Sequence, residues 1–376
     1  MKKSFFTRLI IPGLIFQSAM IGGGYATGRE LVEFFLQLGP RAGLVAMLVA
    51  TALISLVCAV AFEFARRYSL YDYRVFFKQL LGPAWVLFEA AYLSLVLLVL
   101  SVLGAASNEL VVARFEIPAM SGSIVLMTAI GGLVFWGSKA IRNFLAAWSV
   151  LLYITYGGLI VWSLLVFGGE IERNLTTVDQ PGIGLESLQG GVIYAGYNVV
   201  VFTSVLFVVR HFTSRRDALW AGALCGPLSM IPGLLLLLAM TAHYPQVNEQ
   251  SLPINYLLNQ LQTPALLLLF QVVIFGTFIE TGTALLHSVN ERIGNVYGEH
   301  SREMPRAMRP ALSIGFLIVA IFVADAVGIV SLIGRGYTYA TYLFLAIVVL
   351  PLLTRGLMMI LRPLESATVR AINSNQ

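Results

Sequence analysis

The sequence predicts an all-α integral membrane protein of ten transmembrane helices, built as two five-helix repeats of inverted orientation with helices one and six broken. Three observations predict it. Apolar stretches long enough to cross a bilayer recur along the 376 residues. Only 11% of the residues are charged and 58% are hydrophobic, whereas a soluble domain is about a quarter charged. Two glycine-bearing interruptions, Ile21-Gly22-Gly23-Gly24-Tyr25 and Tyr194-Ala195-Gly196-Tyr197-Asn198, lie about half a chain apart inside apolar segments.

The spans are expected at about 9–36 (broken near 22–24), 42–65, 84–111, 121–137, 143–167, 187–209 (broken near 196–198), 218–242, 264–290, 310–333 and 337–354. Runs of this length exclude porin-like strands, which alternate over about ten residues. The apolar piece at 356–361 is too short to cross and reads as part of a cytoplasmic or interfacial tail. The opening Met1-Lys2-Lys3 is only superficially like a signal peptide, because the apolar run continues into what reads as a retained first helix. Cys58 and Cys225 fall within or beside spans and read as packing residues.

Charge placement sets the orientation. With the N-terminus inside, 19 of the 24 Lys and Arg fall in inner segments, the exceptions being Arg29, Arg41, Arg114, Arg173 and Arg335. This positive-inside bias places both termini of a multi-pass chain in the cytoplasm. The net charge of +5 forms no basic face among aromatic platforms, so nucleic acid is not an expected partner. Ten spans divide into a first repeat (1–167), an outer connection (168–186), a second repeat (187–354) and a cytoplasmic tail (355–376). Five helices per half force the second half to enter from the opposite side.

The first break is the densest glycine and polar cluster in any span. Gly22, Gly23 and Gly24 weaken the helix and remove side-chain bulk. The amides resuming at Gly24–Thr27, with Tyr25, suit a carboxylate, and the carbonyls near Ala19 and Gly22 suit a cation. Close packing against glycine is the structural alternative. Arg29 and Glu33 are four apart and form a candidate gate or a structural ion pair. Glu30 points partly elsewhere, toward a neighbouring helix.

In helix six, Gly196 offers the bend. Asn198 is placed to satisfy exposed backbone or contact a solute, and Tyr194 and Tyr197 to enclose an apolar group. On helix three, Ser94, Ser101 and Asn108 share a face at spacings of seven, which makes Asn108 a candidate pocket residue. Helix eight carries a polar stripe of Thr277, Glu280, Thr281, Thr283, His287 and Ser288. Glu280 could carry a coupling proton, balance a bound cation or brace the unwound helix. Thr277 and Thr281 could join carbonyls near Ala19 and Gly22 around sodium, or bond to their own helix.

Taken together, with Gly22-Gly23-Gly24-Tyr25-Ala26-Thr27-Gly28-Arg29-Glu30 as the specific motif, the chain resembles the amino acid–polyamine–organocation superfamily with the LeuT fold. Within it, the chain is similar to the YkvI-like bacterial membrane proteins. The resemblance implies a central site between helices one, three, six and eight, and alternating access. It also implies a small-molecule substrate such as an amino acid, with sodium or protons as coupling ion and no further cofactor. By position, Arg29 matches an outer-gate arginine of some relatives. Glu280 between the two threonines departs from the common sodium site, and helix five has no lysine in sodium's place.

The leading expectation is therefore a secondary active transporter of an amino acid or related zwitterion or anion. A membrane sensor or structural protein that kept the fold is the second class. Four histidines and two cysteines supply no metal or nucleophile constellation, so an enzyme is not expected.

Overall fold

A computed structural model describes residues 5–115, 118, 120–136, 138–176, 184–299, 305 and 308–362. The middle of the expected outer connection (177–183) and the tail from 363 lie outside the described residues, as do Lys2, Lys3, Arg302, Arg306 and Arg370.

The first expected span consists of three pieces, α1 (Phe5–Met20), α2 (Gly23–Ala26) and α3 (Arg29–Phe34). Then come α4 (Pro40–Tyr68), a short amphipathic α5 (Tyr73–Leu81), α6 (Trp85–Phe115), α7 (Ser121–Trp136) and α8 (Ser138–Val166). The end of α8 bends by 71° into α9 (Gly168–Thr176). The sixth span is α10 (Leu185–Asn198), a 3-10 stretch at Val199–Ser204, and α11 (Leu206–Val209). The chain continues through α12 (Arg215–Thr241), α13 (Pro253–Gln260), α14 (Pro264–Glu299) and α15 (Met308–Val327). It ends in α16 (Ile329–Leu361).

Six of these helices are long and apolar enough to cross a bilayer, and seven if the bent α8–α9 pair is one span. The chain is thus an all-α, multi-helix integral membrane protein. The first, fourth and sixth expected spans fall on short or interrupted helices, where unbroken length is lacking. The last two boundaries differ from expectation. The turn between α15 and α16 comes at Gly328, which takes a left-handed φ of 76°. The helix then runs on through 356–361, so that stretch extends the last helix.

Packing divides the helices into two groups. In one, α4 and α12 lie side by side, with α1 against α12 and α10 against α4. In the other, α6, α7, α14 and α15 pack together and α8 lies on α14. Small residues allow the close approaches, since van der Waals fit takes the place of hydrophobic drive between helices in lipid. Gly222 of α12 lies directly on the Ala59 backbone of α4. In the second group, Ser107 Oγ donates to the Gly122 carbonyl at 2.8 Å and Ser123 Oγ to that of Gly104 at 2.9 Å, tying α6 to α7. Large apolar side chains left exposed, such as Leu48, Ile154, Leu165 and Phe322, form the lipid-facing surface.

Candidate functional site

The ladder of α1 fails where the glycines begin. Ile21 N–H still reaches the Gln17 carbonyl at 2.9 Å, but Gly22 N–H bonds to Met20 at 2.8 Å, two residues back instead of four. One short turn later, Ala26 N–H returns to the Gly22 carbonyl at 2.9 Å. The chain breaks a second time at Thr27–Gly28, where Gly28 has φ 79°. That turn is fixed from three sides. Ile254 N–H of α13 donates to the Thr27 carbonyl at 3.2 Å. Tyr156 of α8 donates to the Ala26 carbonyl. The Thr27 hydroxyl donates to the Gly24 carbonyl at 2.8 Å.

Helix six breaks differently. Gly196, the expected bend, stays in continuous α-helix, and Thr341 of α16 occupies the space a Cβ would need. Thr341 Oγ1 donates to the Ile193 carbonyl at 2.6 Å, so Gly196 serves close approach. The 3-10 stretch starts one residue after Asn198. Here Thr203 and Ser204 donate to the carbonyls three residues back, at 2.9 and 2.7 Å, and β-branched valines crowd the turn.

Between these interruptions lies a cavity of about 690 Å³, within the usual range of ligand pockets. Its apolar walls come from α1, α6 and α14. Its polar groups are Ser18, Glu30, Tyr92, Tyr197, Asn198, Thr203, Ser204, Glu280, Thr281, Ser288 and Tyr337. Among the expected residues, Ala19, Gly22, Gly24, Tyr197, Asn198, Glu280 and Thr281 line it. A Cβ on Gly22 would lie 3.4 Å from Thr281 Cγ2, so the break faces α14 directly. Gly23 opens α2.

Five expected site residues lie elsewhere, among them Thr27, 1% exposed with its hydroxyl on the Gly24 carbonyl. Tyr25 is 1% exposed, with its ring against Gly233 of α12. Tyr194 is fully buried among Phe34, Phe35 and Tyr197. Asn108 accepts from Ser123 N–H at 2.8 Å and thereby caps the start of α7. Thr277 is buried and donates to Val273 of its own helix at 2.9 Å, so only Thr281 of the threonine pair faces the cavity.

Glu30 is the residue whose weight the sequence reading missed. It lines the cavity, its Oε2 accepts from Tyr197 Oη at 2.7 Å, and its Oε1 fills the place of a Cβ on Gly24. The three glycines in front of it were the available signal, because a missing side chain leaves room for another to fold back.

The two ends of the cavity differ. Toward α3, Arg29 is 2% exposed, pairs with Glu33, and donates to the Asn248 and Gln250 carbonyls at 2.9 and 3.1 Å. Beneath this lie the stacked rings of Tyr197 and Tyr337, 4.4 Å apart at 21°. Nearby, burial holds the His243 imidazole below its ordinary pKa, partly offset by Glu170. The ring packs edge-on against Phe167 and Tyr256. At the other end, where Ile11 and Leu14 of α1 line the cavity, Ser18, Ala19, Ser204 and Ala284 are exposed.

No family model matches the chain. It is similar to the membrane protein YkvI of Bacillus subtilis (strain 168), 23% identical over 344 residues covering 89% of this chain and 92% of that one. Its fold resembles the crystal structure of MhsT in complex with L-phenylalanine (TM-score 0.61, 15% identity, 93% of this chain and 88% of that one). It also resembles the Eremococcus coleocola manganese transporter in complex with an aromatic bis-isothiourea substituted compound (TM-score 0.52, 14% identity, 91% and 77%). The chain thus shares the fold of these two structures. Among its described residues, no group of three or more His, Cys, Asp or Glu could hold a metal ion.

Proposed function

We propose that the protein is a secondary active transporter that binds a small solute, an amino acid or a related molecule, in the chamber at the break of α1. The observation that carries this reading is the chamber itself. It lies where main-chain hydrogen bonding fails in mid-helix, is closed at one end by Arg29 and its partners, and is open at the other. A closed end opposite an open one is one half of an alternating-access cycle. Shared fold with MhsT, solved with L-phenylalanine, supports the solute class.

In this reading the chain spans the membrane ten times as two inverted five-helix repeats, with both termini cytoplasmic. The interrupted first and sixth spans and the positive-inside charge pattern support it. The open end then faces the cytoplasm. The moving parts are the two packing groups, α1, α4, α10 and α12 against α6, α7, α14 and α15. Opening the other side requires Arg29 to release the Asn248 and Gln250 carbonyls and the Tyr197–Tyr337 stack to part.

The coupling ion is sodium or a proton. Ala19, Gly22, Glu280 and Thr281 all line the chamber, Gly22 against Thr281, and Thr277 stands off it, which supports a site of this kind. A sodium ion there would draw on Thr281, the α1 carbonyls and the Glu280 charge.

Uptake into proteoliposomes with sodium and proton gradients imposed separately tests the proposal. Solute accumulation driven by one gradient is expected, and Glu280→Gln should uncouple it. No accumulation of any amino acid under either gradient, with no solute-dependent stabilisation, would favour a sensor that kept the fold.

A further inference from the structure

Among the described residues that line the chamber, charge is one-sided. Glu30 and Glu280 both line it, and among the described lining residues there is no Lys, Arg or His. The adjacent Arg29 turns away, its guanidinium engaged by Glu33, Asn248 and Gln250. One helix of 16 residues, α1, ends at the chamber wall with Met20. Its carbonyl end adds partial negative charge. Glu30 is 6% exposed, so its carboxylate has lost most of its water and keeps the Tyr197 hydroxyl as a donor. Bringing a further anion into such a site would be costly, and a cation would offset the desolvated charge.

Building on the solute-binding reading above, we propose that the chamber recognises its solute through a positively charged nitrogen held by Glu30 together with Glu280. Amines and amino acids bind; molecules carrying only a carboxylate do not. Glu30 is the specificity-determining group, because it sits over Gly24 at the break and joins α3 to α10 through Tyr197.

Purified full-length protein is titrated with two matched series. One is phenethylamine, L-phenylalanine and 3-phenylpropionate; the other is butylamine, norvaline and butyrate. Binding is read by thermal shift and calorimetry. The ammonium-bearing members of at least one series are expected to stabilise the protein, and the acid of that series to leave it unchanged. Glu30→Gln keeps an acceptor for Tyr197 and should weaken amine binding about tenfold or more, the loss of one charge-assisted contact. Glu280→Gln, expected to act in the same direction, serves if Glu30→Gln does not fold.

Binding of an acid as tight as that of its matched amine overturns the inference and leaves the solute-carrier reading standing. Unaltered amine binding in both variants also overturns it. No response to any of the six probes overturns the inference, and the carrier reading falls only if the transport assay fails too.

Discussion

The two interrupted helices that face each other across the chamber break by different means. α1 stops at Met20, loses its ladder at Gly22, and resumes in a four-residue turn whose open side is filled by the chain's own Glu30. α10 runs through Gly196 unbroken and tightens only at Val199, where hydroxyls and branched side chains compete with the ladder. A glycine in a membrane helix therefore marks an approach as readily as a bend. What separates the two is the neighbour: a second helix at Gly196, a returning carboxylate at Gly24.

That contrast predicts the largest effect at Gly24. Gly24→Leu drives a side chain into the seat of Glu30, and loss of all solute-induced stabilisation is expected. A Gly24→Leu protein that still binds as the original does would show that Glu30 does not sit there. Gly196→Ala should act on stability, costing about 1–3 kcal/mol as α16 is pushed off α10. A melting temperature within a degree of the original would contradict the packing role.

Smaller effects follow at the edges of the site. Arg29→Gln removes the link to Asn248 and Gln250, and amide exchange across α13 should quicken several-fold; unchanged exchange would mean the closed end holds without it. Asn108→Ala should cost about 1 kcal/mol through the lost cap on α7 while solute affinity stays the same. A changed affinity would return Asn108 to the pocket. Least of all, Thr277→Val should barely alter any sodium dependence, whereas Thr281→Val should weaken it; the reverse order would reassign the ion's ligands.

The first break was legible because its glycines are consecutive and not spaced by three as helix packing favours, and Arg29–Glu33 because four-residue spacing survives in any helix. Glu30 was not. The left-handed turn at Gly28 resets the helical phase between Tyr25 and Glu30, so a helical wheel drawn through the motif sends its side chain to the wrong face. Asn108 shared a face with Ser94 and Ser101, as its spacing required, but α6 lines the chamber with the opposite face, Tyr92, Leu95, Val96 and Val99, and Asn108 meets the start of α7 instead. Thr277 and Thr281 lie one turn apart on α14, and only the latter meets the break. Spacing along one helix fixes a direction; which neighbour stands there is settled by the other helices.

The central claim is that the break in α1 opens a sheltered chamber reached from the end that carries the N-terminus. Its most direct test is a single cysteine at Ser18, with Cys58 and Cys225 replaced by alanine, labelled by a membrane-impermeant maleimide in sealed vesicles of each orientation. Labelling is expected only when the N-terminal face is outward, and should slow when a stabilising solute is present. A Ser18→Cys that stays unlabelled in both orientations, as a position facing lipid would, contradicts the account.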